Sequence, residues 1–141
     1  MAQTEIARLL FQVATLPFVV LGLAHIFLTL MGRLDPVDDQ VRQSMSQAPL
    51  KFTSKMSMWR SWLGFNLSHG LGVLFFGLIF LLIATYDFQV ILKLNFLMPL
   101  AVIVSTAYLI LALRFWFYAP AIGIAIGLIF FVLSYALASI G

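Results

Sequence analysis

The chain has 141 residues, of which 63% are hydrophobic and 9% charged, and its eight basic and five acidic residues give a net charge of +3. A water-soluble domain carries roughly 25% charged residues to coat its surface, so this composition excludes one. The absence of cysteine excludes thiol–disulfide chemistry, cysteine-ligated metals and iron–sulfur clusters held by this chain alone.

Four apolar runs, residues 6–31, 62–85, 92–113 and 119–140, each approach the length of about 20 residues that crosses a bilayer. They take up nearly all of residues 1–141 and leave no room for a separate soluble domain. The expected fold is all-α and integral to the membrane. Its four transmembrane helices form one domain, an up-and-down antiparallel bundle, with a short interfacial helix in the first connection.

The opening "MAQTEIARLL" leads into the first run. That run is too long for a secretory signal, lacks a small-residue cleavage site and contains Pro17 and His25, so it reads as a retained helix. On it, Thr15, Gly22, His25 and Thr29 fall along one stripe.

In the connection that follows, Asp35 is the expected N-cap, Pro36 the first helical residue and Asp38 the first-turn acid. Val37, Val41 and Met45 would form an apolar stripe that Pro49 ends. In "LKFTSKMSM" the period falls to two, which means extended backbone at the interface or folded over the bundle mouth. A solvated linker is the plainer reading of this stretch, and a lid is the functional one.

The second run contains "GFNLSHGLG", which sets Asn66, Ser68 and His69 among apolar neighbours. Asn66 and His69 share a helix face with Trp62 and Val73. Gly64, Ser68 and Gly72 on this run, and Gly123 and Gly127 on the fourth, are small-residue faces suited to close helix approach. The Gly123–Gly127 face is also where a second copy or a membrane partner would dock. Pro17 and Pro99 either bend their helices or fall where neighbours repair the ladder.

Depth links the two histidines. About 9 Å of helix separates His25 from Met31, and about 10 Å separates Trp62 from His69, at about 1.5 Å per residue. The two helices run antiparallel from a shared loop, so both imidazoles should lie at one level and face inward. The candidate ligand site is therefore His25, Asn66 and His69, with Thr29 and Trp62 at its margins.

Three uses fit such a cluster. One is a hydrogen-bonded knot between the helices, in which Thr29 and Ser68 bond local carbonyls. In that case His69→Ala should cost more than His25→Ala, because Asn66 would lose its same-helix neighbour. Another is a pocket for a small, mostly apolar, quinone- or lipid-like ligand. The last is a b-type haem with His25 and His69 as axial ligands. Gly64, Gly70 or Gly72 would then make room for the ring, and Arg33 or Arg60 would meet its propionates.

Enzyme readings fare worse, since Glu5, Asp35, Asp38, Asp39 and Asp87 all lie at helix ends or in loops. Ser68 and His69 are adjacent on a helix and diverge by about 100°. Two histidines with an amide are an incomplete metal site. Asn95, Ser105 and Thr106 suit capping or packing. Tyr108 and Tyr135 could reach the cavity, although aromatic packing is the plainer reading. The alternative to ligand binding is an accessory subunit of a larger membrane complex.

Arg33, Arg42, Lys51, Lys55, Arg60 and Arg114 lie in the 32–61 and 114–118 loops, against only Arg8 and Lys93 on the opposite side. That bias places both loops in the cytoplasm and the termini outside. In a membrane protein the basic excess speaks of topology and not of nucleic acid. Trp59, Trp62 and Trp116 would form an aromatic belt at the loop side.

The blocks "GLAHIFLTL", "DPVDDQVRQSM" and "SMWRSWLGFNLSHGLG" resemble, in order and spacing, a family of small, uncharacterised bacterial four-helix membrane proteins first catalogued in spirochaetes. The resemblance covers roughly residues 20 to 75. Its matching positions are His25, Asp35, Pro36, Gly64, Phe65, Ser68 and Gly70. It implies a four-helix fold in a bacterial inner membrane and no particular activity. A looser similarity, in size and helix count alone, is to the DoxX-like proteins linked to respiratory or redox partners.

Overall fold

The computed structural model describes residues 2–140. Backbone groups in lipid must bond internally, and the apolar runs do so as four long helices: α1 (Ala2–Leu30), α3 (Met58–Tyr86), α5 (Leu97–Phe115) and α6 (Tyr118–Ile140). All four are long and apolar enough to cross a membrane, which makes this a multi-pass, all-α membrane protein. Between them lie α2 (Asp39–Gln47), β1 (Pro49–Leu50), β2 (Thr53–Ser57) and α4 (Phe88–Lys93).

α1 is the hub. It packs against both α3 and α6, and α5 packs against α6. Glycines allow these approaches. A Cβ at Gly22 would lie 2.7 Å from the Leu74 Cα, one at Gly77 would lie 2.8 Å from the Val19 amide nitrogen, and one at Gly70 would lie 2.7 Å from Ile26 Cγ1. These pairs set an antiparallel register between α1 and α3. Gly127 is buried against Ala14 and Phe18 of α1, and Gly123 lies against Leu21. The expected docking face for a partner is therefore covered by the protein's own first helix. Gly64, Ser68 and Gly72 are exposed, so they too depart from expectation. The seam of α3 runs instead through Asn66, Gly70, Val73 and Gly77.

Away from the long loop, Phe11 meets Phe80, Phe88 and Phe131 edge-on at centroid distances of 5.6, 5.9 and 4.9 Å. Ser134 Oγ donates to the Ala7 carbonyl at 2.7 Å, tying α6 to α1. Gln12 Nε2 donates to Thr85 Oγ1 at 3.1 Å, tying α1 to α3. α1 continues through Pro17 without a break, and Pro99 lies in the first turn of α5, where its missing N–H costs no bond.

α1 and α3 each begin four residues before the expected spans, and two other boundaries differ in ways that change the packing. The third span begins at Leu97 and not at residue 92, because α4 stands apart from it. Asp87 closes α3 and accepts from the Gln89 amide at 3.0 Å, and α4 then buries Phe88 and Ile91. The loop helix begins at Asp39, with Asp38 as its N-cap accepting from the Gln40 amide at 2.8 Å. Asp35 is engaged elsewhere. α1 ends in a Schellman turn on Gly32 (φ 67°), with Arg33 N–H donating to the Leu28 carbonyl at 2.8 Å, and Asp35 lies beside that turn. Val37 thus falls outside the helix and is fully exposed, which leaves Val41 and Met45 of the expected stripe.

The period-two stretch is extended only in part: it turns at Lys51 and Phe52, runs extended from Thr53 to Ser57, and Met58 already opens α3. β1 and β2 form a small antiparallel hairpin with Pro49 opposite Ser57. It rests with α2 against the start of α3. There Arg42 lies over the Trp59 ring at 5.6 Å, and Trp59 stacks on Trp62.

Candidate functional site

The antiparallel register of α1 and α3 brings His25 and His69 edge to face, with ring centroids 5.1 Å apart. Asn66 decides what His25 can do. Its amide nitrogen donates to the Trp62 carbonyl at 2.8 Å. A carbonyl only accepts, so the Asn66 Oδ1 must be the atom facing His25, 3.2 Å from Nε2. His25 Nε2–H therefore donates to Asn66, which leaves Nδ1 as its acceptor. Thr29 Oγ1 donates to the His25 carbonyl at 2.7 Å, and Ser68 Oγ donates to the Phe65 carbonyl at 3.0 Å.

His69 sits differently. It stacks on Phe65 (centroids 6.1 Å, interplanar angle 12°) and meets the Tyr108 ring edge at 5.8 Å. Trp116 closes on His25 from the other side at 5.2 Å. Neither His69 nor the Tyr108 hydroxyl is hydrogen-bonded to another described residue.

These rings border a cavity of about 260 Å³. Its wall includes Phe18 and Leu21 from α1, Val73 from α3, Leu111 from α5 and Ile124 from α6, with Leu34 and Phe117 toward the loop side. No Asp, Glu, Lys or Arg lines it. The hollow is thus mostly apolar, with two imidazoles, one phenol and the Trp116 indole as its polar side chains. That chemistry suits an uncharged ligand with a hydrogen-bonding end.

Of the five residues expected in the site, only His25 and His69 line this cavity. Asn66 is buried behind His25 as its orienting partner. Thr29 spends its hydroxyl on the backbone, and Trp62 stacks on Trp59. Asn66 bonds His25 across the helices and has no bond to His69, which reverses the expected cost order of the two histidine truncations. The hairpin contributes no wall residue, so the cavity gives no support to a lid.

Trp116, Leu111 and Leu34 are wall residues that the sequence does not point to, whereas Tyr108, able to reach the cavity but read first as packing, is on the wall and Tyr135 is not. Tyr108 had a usable signal: it lies about 10 Å of helix before the end of α5 at Phe115, the same depth rule that united the histidines. A second hollow of about 250 Å³, lined by Asn95, Met98 and Tyr135 among others, lies at the α4 end of the bundle, apart from these rings.

The residues as placed do not fit a haem. A bis-histidine iron needs the porphyrin plane between the two imidazoles, yet these rings touch edge to face and His25 Nε2 is bonded to Asn66. The glycines give no slot either. Gly70 is filled by Ile26 and His25, Gly72 faces only the Tyr108 hydroxyl, and Gly64 faces open space. Among the described residues, no group of three or more His, Asp or Glu side chains is arranged to hold a metal ion.

Searches of protein families, of curated proteins and of solved structures found no match to this chain.

Proposed function

We propose that this protein binds a small, uncharged, largely apolar ligand in the cavity between its helices. A quinone-like molecule, or a neutral lipid bearing a carbonyl or hydroxyl group, has the required chemistry. The observation that carries the reading is the pair of polar rings without a hydrogen-bond partner among the described residues, His69 and Tyr108, on the wall of a mostly apolar 260 Å³ cavity. A polar group facing apolar surroundings gains from a hydrogen bond, so these half-buried rings favour a ligand that supplies one. His25, turned by Asn66, offers an acceptor beside them.

The accessory-subunit reading loses its surface, because Gly123 and Gly127 pack against α1. We place the protein in a bacterial inner membrane, with the loops at 32–61 and 114–118 in the cytoplasm. The basic residues of those loops support that orientation.

Gentle detergent extraction followed by mass spectrometry tests the function. A neutral hydrophobic compound should accompany the wild-type protein and be depleted from His69→Leu. Recovery of a stoichiometric protein partner with no small molecule would replace this reading by the subunit one.

A further inference from the structure

We infer that the ligand is a long-chain molecule dissolved in the bilayer, and that it enters sideways between α3 and α5, past Tyr108. This rests on the ligand reading above and adds the route and the tail.

Three of the helix contacts around the cavity are closed. α1 meets α3 through Gly22 and Gly70, and α1 meets α6 through Gly123 and Gly127. α5 packs directly on α6. The remaining side is different: α3 and α5 are not a closely packed pair, and they meet through side chains, with Tyr108 reaching His69 at 5.8 Å and Phe76 at 6.3 Å.

The seam reaches the outside. Leu111 lines the cavity and is nevertheless 48% exposed. On the opposite lip stands Gly72, which is exposed and whose Cβ would meet only the Tyr108 hydroxyl, at 3.8 Å. Glycine weakens a helix interior by about 1 kcal/mol relative to alanine. Gly70 and Gly77 have packing reasons for it and Gly72 has none, so what Gly72 provides is an open notch beside Tyr108. Tyr108 lies about 10 Å of helix below the loop-side end of α5 and Gly72 about 21 Å from the start of α3, so the outer face of the seam meets acyl chains and not water. An alkyl tail therefore fits the seam while an uncharged head occupies the cavity.

Trp116 is a built-in reporter. In a Trp59→Phe/Trp62→Phe background it is the only tryptophan left. Its quenching can be followed by rapid mixing with a decyl-substituted benzoquinone and with unsubstituted benzoquinone. Gly72→Leu should slow association of the decyl probe by about tenfold and raise its Kd, because the bound tail lies in the same seam. The small probe should be spared. If Gly72→Leu does not fold, Gly72→Ala, with its methyl in ordinary contact, gives the same comparison with a smaller slowing. Quenching with unaltered decyl rates, or equal slowing of both probes, overturns lateral entry and leaves the ligand reading standing. No quenching of Trp116 by either probe overturns the ligand reading itself.

Discussion

Asn66 holds its place because Trp62 offers it only a carbonyl. With the amide nitrogen committed there, Oδ1 fixes the His25 tautomer, and the imidazole becomes a positioned group. A double-mutant cycle on His25→Ala and Asn66→Ala should show a coupling of about 0.6–1.7 kcal/mol, the range of hydrogen bonds inside membrane bundles. The cycle on His69→Ala and Asn66→Ala should show none, with thermal unfolding in detergent as the readout. Equal coupling in both cycles would mean that Asn66 is shared between the histidines. The pairing of the two imidazoles was legible beforehand because it needs only helix rise and antiparallel connectivity. Which side chain Asn66 bonds was not, since sharing a face with His69 says nothing of the neighbour across the interface.

At the scale of elements, each glycine acts through what stands opposite it. Gly77→Ala puts a methyl 2.8 Å from the Val19 backbone, so α1 must move, and the expected cost is about 1–3 kcal/mol. Gly64→Ala meets nothing and should be neutral or stabilising by up to about 1 kcal/mol. Melting temperatures in detergent should therefore shift in opposite directions or differ clearly; equal shifts would contradict the observed seam. Small residues were easy to see in the sequence, but their facing was not. Helices that are apolar all round have no period to show which stripe is buried, and the same lack hid Leu111 from the site, while Trp116, just past the end of α5, reads as part of the aromatic belt. By contrast, α2 and the hairpin are amphipathic, and their patterns identified them. Only the cap position moved, because Asp35 was drawn to the Gly32 turn. The short α4 was signalled only by Asp87 with Gln89, two residues inside a long apolar context.

For the whole molecule, the spans were legible because hydropathy and length alone decide them. The proposed orientation rests on the loop charges and has a direct check, since the chain contains no cysteine. Ser46→Cys should react with a membrane-impermeant maleimide only when the cytoplasmic face is open, and Ser139→Cys, near the other end of the bundle, only from outside. Both positions are exposed. The opposite pattern would invert the topology. The central position of α1 also has a consequence for biogenesis. Of the four spans it is the first in chain order, yet α6, the last of them, covers its second face. Until α6 has been made, the stripe of α1 carrying Ala14 and Phe18 lacks that cover. The chamber draws its wall from all four spans, so it is complete only once α6 has docked.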